Sequence, residues 1–124
     1  MKPRVEVDKV ELEKEVRRLA KVRPKYVYPR AVNKLTVGRY TIDGQPSCMM
    51  GWALKNKGVP VAILEQWDLA IENGMPTAEK NKILDEIASV IGGDGSWFRR
   101  VLGYQDDGKP WGEAVMLADQ ETKK

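Results

Sequence analysis

The feature that most constrains the fold of this chain is a series of short apolar stripes at helical spacing, each bounded by turn-forming residues. Asp8 is placed to cap a first helix that runs through Val22 and ends before Pro24. Five further stripes between residues 47 and 118 begin or end at glycine, proline, serine or threonine. We therefore predict a mainly α fold, a single compact domain of five or six helices over residues 1–124, with a frayed tail at residues 119–124.

Residues 26–42 differ from the helical stretches in composition. Residues 26–28 and 36–42 are rich in β-branched and aromatic side chains, and Pro29, Gly38 and the Asp43-Gly44 pair punctuate them. Such segments form short strands, or an extended loop that contains one hairpin. We therefore expect a small β-hairpin near residues 26–42, inside the helical domain.

The segment that follows is expected to form the buried central helix. Ser47 follows a proline and is predicted to cap a helix over residues 48–57, which Gly58 then ends. Apolar side chains fall on nearly every side of this helix, as they do when a helix is surrounded by protein. The large apolar residues of the stripes predict a core built on Cys48, Trp52, Trp67 and Trp111.

The chain has no histidine and one cysteine, which excludes several kinds of chemistry. No imidazole can act as a base or metal ligand, and neither an internal disulfide nor a multi-cysteine metal site can form. Cys48 is the remaining candidate nucleophile, because the first turn of a helix lowers the pKa of a thiol. Its neighbours Met49, Met50 and Trp52 favour a buried structural thiol instead. We expect no catalytic residue, no metal and no cofactor.

Basic residues are concentrated in the first third of the chain. The net charge is +3, yet residues 16–42 contain eight Lys or Arg and no Asp or Glu. Cations interleaved with tyrosines can neutralise phosphates while the rings stack on bases, or the cations can meet an acidic protein partner. A solvated surface is the third interpretation. The candidate binding residues are Arg17, Arg18, Arg23, Lys25, Tyr26, Tyr28, Arg30, Arg39 and Tyr40.

A partial helix-turn-helix pattern covers residues 50–69. Leu54, Gly58 and Leu64 fall at the spacing of such a motif. The positions that would contact bases are apolar or acidic, Glu65 among them, so the pattern predicts the geometry without a DNA-reading role.

Two segments resemble patterns of a known group of proteins. Residues 43–51, with Leu54 and the triplet at residues 58–60, are similar to a DG-x-PSC-x-x-G…L…GVP pattern. Residues 105–115 are similar to a QD-x-G-x-PWGEAV pattern. Small uncharacterised proteins of actinobacteria and their phages resemble the chain in this way over about residues 40–119. The resemblance implies a protein of the bacterial cytoplasm, encoded by a host or a phage genome, and it transfers no catalytic residue.

These observations predict a non-enzymatic small binding protein, phage-encoded and acting on a host protein. The alternative is a nucleic-acid-binding module that uses residues 17–39, and the third interpretation is an enzyme that uses Cys48. No apolar run approaches the roughly 18–20 residues that a membrane span needs, so we expect no membrane partner. The first eight residues lack the apolar core of a secretory signal, which favours a cytoplasmic location in a bacterial host cell.

Overall fold

The computed structural model describes residues 5–27, 40–93 and 95–122. Within these ranges the chain forms six helices and one two-stranded antiparallel sheet, which confirms the predicted mainly α fold with a small hairpin. In chain order the elements are α1 (Lys9–Val22), β1 (Thr41–Ile42), β2 (Gln45–Pro46), α2 (Met49–Asn56), α3 (Val61–Ile71), α4 (Thr77–Ile91), α5 (Trp97–Asp106) and α6 (Trp111–Thr122).

The hairpin starts at the end of the predicted segment and finishes just beyond it. Thr41 is opposite Pro46 and Ile42 is opposite Gln45. The two residues between the strands have positive φ, 52° and 75°, which is the backbone of a tight two-residue turn and suits an Asp-Gly pair. Tyr26 and Val27 are not in a strand, and residues 28–39 lie outside the described residues.

Side-chain hydrogen bonds cap the first turns of α1, α2 and α5 in the described residues. The carboxylate of Asp8 accepts a hydrogen bond from the Val10 N–H at 2.8 Å, and the hydroxyl of Ser96 accepts one from the Arg99 N–H at 3.2 Å. The assignment of Ser47 as the cap of α2 is wrong, because Cys48 occupies the cap position. The chain after α2 turns at Gly58, whose φ of 98° ends the helix in the predicted place.

The core contains three of the four residues predicted to build it. Cys48, Trp67 and Trp111 are buried, whereas Trp52 is half-buried and packs against the outside of the core. The reason is the direction in which the residues of α2 point. Met50 and Leu54 face the core and are fully buried, and Trp52 projects from the opposite side of the helix.

A buried carboxylate joins the start of the hairpin to α3. Asp68 accepts hydrogen bonds from the Tyr40 N–H at 2.6 Å, the Thr41 N–H at 3.0 Å and the Thr41 hydroxyl at 2.6 Å. The Tyr40 ring packs edge-on against Trp67, with ring centroids 5.3 Å apart. The Tyr40 carbonyl passes so close to α2 that a Cβ at Gly51 would lie 2.2 Å from its oxygen, so this position requires glycine.

Backbone hydrogen bonds join the segment after α1 to the first turn of α6. The Trp111 N–H donates to the Tyr26 carbonyl at 2.9 Å, and the Gly112 N–H donates to the Pro24 carbonyl at 3.0 Å. The Tyr26 and Trp111 rings meet edge to face, 4.7 Å apart. α6 continues to Thr122, so residues 119–122 are helical and the prediction of a frayed tail is wrong for them.

Replacing Asp68 by Ala should lower the free energy of unfolding by about 3 kcal/mol or more, because three buried donors lose their acceptor. Thr41→Val removes only the hydroxyl donor and should cost about 1.5–3 kcal/mol. Urea denaturation followed by tryptophan fluorescence measures both values. A loss below about 1 kcal/mol for Asp68→Ala would show that the carboxylate does not anchor the hairpin.

Candidate functional site

The structure describes six of the nine candidate binding residues, and it places two of them inside the protein's own packing. Tyr28, Arg30 and Arg39 lie outside the described residues. Tyr40 is buried against the core, and Tyr26 is half-buried against Trp111. Tyr40 therefore has no exposed ring face on which a base could stack, whereas the half-buried Tyr26 stays a candidate binding residue.

Arg17 is tied into a cluster that joins α1, α5 and α6. Its guanidinium donates two hydrogen bonds to the Asp119 carboxylate, at 2.8 and 2.9 Å, and a third to Glu13 at 3.0 Å. The guanidinium lies 4.7 Å from the ring centroid of Trp97, whose indole N–H donates to Asp119 at 2.8 Å. The hydrogen bonds to Asp119 raise the pKa of Arg17 above its usual value. Two carboxylates compensate this charge, so Arg17 is chiefly a structural residue rather than a free cation.

Arg18 is paired within α1. Its guanidinium donates to both carboxylate oxygens of Glu15, at 2.9 and 2.6 Å, and Asn56 of α2 donates to the same carboxylate at 2.8 Å. The bond from Arg18 is the main reason why the pKa of Glu15 is lowered, although burial opposes it. The side chain of Arg18 nevertheless remains largely exposed.

An open groove of about 810 Å³ lies between α1 and α6. Its lining combines four cationic side chains with a floor of small and apolar residues, and it includes no carboxylate: Lys14, Arg17, Arg18, Ala20, Lys21, Pro24, Gly112 and Val115. Clefts of roughly 300–1,000 Å³ are the usual size for sites that take a small ligand or a few side chains. We call this feature the basic groove.

The floor of the basic groove forms where the backbone of α6 at Gly112 comes close to Pro24, just after α1. A Cβ at Gly112 would lie 3.0–3.2 Å from Pro24, so a larger residue would push α6 away from the end of α1. Ala20 and Val115 are buried and present only small side chains at this surface. Met116, four residues after Gly112 on α6, is 51% exposed but does not line the groove.

Six residues of the basic groove are not among the nine candidate binding residues: Lys14, Ala20, Lys21, Pro24, Gly112 and Val115. One signal for the two lysines is present in the chain. Positions 14, 17, 18 and 21 are all basic and follow the i, i+3, i+4, i+7 spacing of a single helix face. No local sequence pattern predicts that α6 forms one side of the groove, because the residues that meet across the groove are about one hundred positions apart.

Arg23 and Lys25 are exposed beyond the end of α1 and do not line the basic groove. The Arg23 guanidinium lies 5.9 Å from the ring centroid of Tyr26. The structure therefore brings Arg17 and Arg18 together with two unpredicted lysines, and it leaves Arg23 and Lys25 on a neighbouring surface.

Cys48 has the environment of a structural thiol. It is 2% exposed, and its sulfur accepts a hydrogen bond from the Gly51 N–H at 3.2 Å. Burial raises the pKa of Cys48 to about 12, so the effect of desolvation exceeds that of the helix N-terminus. The adjoining cavity, between Tyr40, Leu102, Gln105 and Asp106, has a volume of only about 30 Å³. The thiol is therefore protonated at neutral pH and has no room for a substrate.

A thiol reagent at pH 8 should label Cys48 in the native protein at least about 100-fold more slowly than in denaturant, because reaction requires local or global opening. The unfolded thiol ionises near its ordinary pKa of 9.0, whereas the folded thiol stays protonated to about 12. The folded state thus holds the proton longer, and this contribution to stability is lost as the pH rises above about 9. Rapid stoichiometric labelling of the folded protein would contradict the structural role.

No protein-family model, curated protein or solved structure matches this chain. In the described part of the chain, none of the helices is both long and apolar enough to span a membrane. Across residues 5–27, 40–93 and 95–122, no three His, Cys, Asp or Glu side chains are grouped so that they could hold a metal ion. The geometry and charge of the basic groove are therefore the features from which a function can be inferred.

Proposed function

We propose that this chain is a non-enzymatic binding protein that holds an acidic, partly apolar segment of a protein partner in the basic groove. The main support for this proposal is the lining of the groove. Cations lie along its rim, apolar and small residues form its floor, and no carboxylate lines it. Such a surface complements a segment in which apolar side chains alternate with Asp or Glu along one face.

Lys14 and Lys21 supply the charge that is open to a ligand. Lys14 is exposed and makes only a 3.5 Å contact with the exposed Glu11. Lys21 is exposed too, and it forms no ion pair with the residues that the structure describes. A ligand carboxylate that meets either ammonium group therefore displaces little from the folded protein, so the cost of binding there is small.

The same contacts favour a protein segment over a nucleic acid. Binding to phosphates depends on the number of uncompensated cations, and single strands also need exposed rings for stacking. Arg17 and Arg18 already share their charges with carboxylates, and Tyr26 and Tyr40 are used in packing. A short acidic peptide needs fewer cations for binding. Its apolar side chains can also pack on the apolar floor, whereas a phosphate backbone has no apolar groups to bury there.

The resemblance to proteins of actinobacteria and their phages adds a setting to this proposal. We propose that the partner is a cytoplasmic protein of the bacterial host and that binding alters its activity. An acidic surface helix or an acidic tail would provide the required segment, since both occur without disturbing the partner's core.

The first test uses a labelled synthetic peptide with leucine and glutamate at helical spacing, together with a labelled DNA duplex and single strand. The peptide should bind, and its affinity should fall as salt is raised, because the attraction is between exposed charges. The two nucleic acids should show no binding below about 100 μM at low salt, a range that even non-specific DNA-binding proteins reach. Tighter binding of either nucleic acid than of the peptide would contradict the proposal.

The second test locates the site. Replacing Lys14 and Lys21 together by Ala should weaken peptide binding by about 5-fold, since each exposed ion pair contributes ~0.2–1 kcal/mol. The matched control replaces Lys9 and Lys109, which are exposed, carry the same charge and do not line the basic groove. This control should bind the peptide as the unmodified protein does, and an equal loss in both double variants would show that only the net charge matters.

A further inference from the structure

We propose that the basic groove also binds a second copy of this chain, through one exposed face of α3. This face, which we call the α3 ridge, consists of Ala62, Glu65, Gln66 and Leu69. The inference rests on the proposed function, because it uses the same complementarity between the groove and an acidic, partly apolar segment. It adds the identity of one ligand, namely the chain itself.

The α3 ridge has the chemistry that the groove is suited to bind. Its residues recur at intervals of three and four and therefore lie on one side of the helix. Leu69 is 45% exposed although Leu64 and Trp67 of the same helix are fully buried, and its side chain borders an open cleft between α3 and the start of α4. Glu65, one turn before Leu69, places an exposed carboxylate beside this apolar side chain.

The charge pattern around the ridge favours the interaction. No Lys or Arg occurs between Lys57 and Lys80, so α3 and the turn after it present acidic side chains without basic neighbours in the sequence. Phosphate-directed recognition by α3 is disfavoured for the same reason, which is why the partial helix-turn-helix pattern does not predict a DNA reader. An acidic ridge is instead attracted to the cationic rim of the groove on another copy.

One turn of α3 fits the layout of the basic groove. Glu65 and Leu69 are four residues apart, so they lie side by side on the α3 ridge. With α3 placed along the groove, Glu65 faces the lysines of the rim while Leu69 lies above the apolar floor.

The groove and the ridge belong to different elements, so the contact is between unlike surfaces of two identical chains. Each copy can offer its ridge to one neighbour and its groove to another, which gives a ring or an open chain. An acidic partner protein would compete with the ridge for the same groove. Self-association is therefore expected to decrease when such a ligand is present.

Sedimentation equilibrium of the purified chain at low and high salt tests the inference. The protein should associate with rising concentration at low salt, and raising the salt should return it to the monomer. The Lys14→Glu, Lys21→Glu variant and the Glu65→Lys variant should each associate about 10-fold more weakly, and mixing the two should restore part of the association. A chain that stays monomeric at all concentrations, or one whose association ignores these changes, would overturn the inference.

Leu69→Ala tests the apolar contact without a change of charge. It should weaken association several-fold, whereas Ile71→Ala should leave association unchanged, because Ile71 is 36% exposed but points to the other side of α3. Circular dichroism would verify that both variants remain folded.

An excess of the synthetic leucine–glutamate peptide should also dissociate the assembly. A monomeric chain that still binds the peptide would overturn self-association and leave the proposed function standing. Association that the peptide does not disturb would overturn the assignment to the groove.

Discussion

The bidentate ion pair between Arg17 and Asp119 joins α6 to α1, the two helices between which the basic groove lies. The Trp97 indole strengthens the arrangement, since it stacks on the guanidinium and donates to the same carboxylate. A part-buried pair of this kind contributes modestly to stability by itself. Its importance is geometric, because it defines the relative position of three helices through groups that have directional hydrogen bonds.

The hydrogen-bonded cluster around Arg17 divides the cations of α1 that line the groove into two kinds. Arg17 and Arg18 form planar, hydrogen-bonded pairs with carboxylates, a role for which arginine is better suited than lysine. Lys14 and Lys21, one on each side of them in the sequence, remain open to solvent. The groove therefore has an inner part whose two arginines are paired with carboxylates, and two exposed lysines that can contact a ligand. Small residues in the floor, Ala20 and Gly112, keep the space between them open.

Much of the fold could be predicted from the sequence, because its signals are local. Asp8, Ser96 and Gly58 set helix ends through contacts with residues only a few positions away. The wrong predictions arise where a residue far away in the sequence determines the burial or the charge of a side chain. The burial of Tyr40 depends on Asp68, 28 residues further on, and the charge of Arg17 is compensated by Asp119, 102 residues further on. The run of basic residues in the sequence therefore suggested more uncompensated positive charge than the folded protein has. The groove is formed by both α1 and α6, so no single sequence pattern predicted it.

Amide chemical-shift mapping by NMR would show directly whether a ligand binds in the basic groove. The isotope-labelled protein would be titrated with the synthetic leucine–glutamate peptide at low salt. We expect the largest shifts at the residues that form the rim and floor, above all Lys14, Lys21, Gly112 and Val115, with small changes along α4. Shifts concentrated on α4, or spread evenly over the protein as the peptide is added, would show that the peptide does not bind in the basic groove.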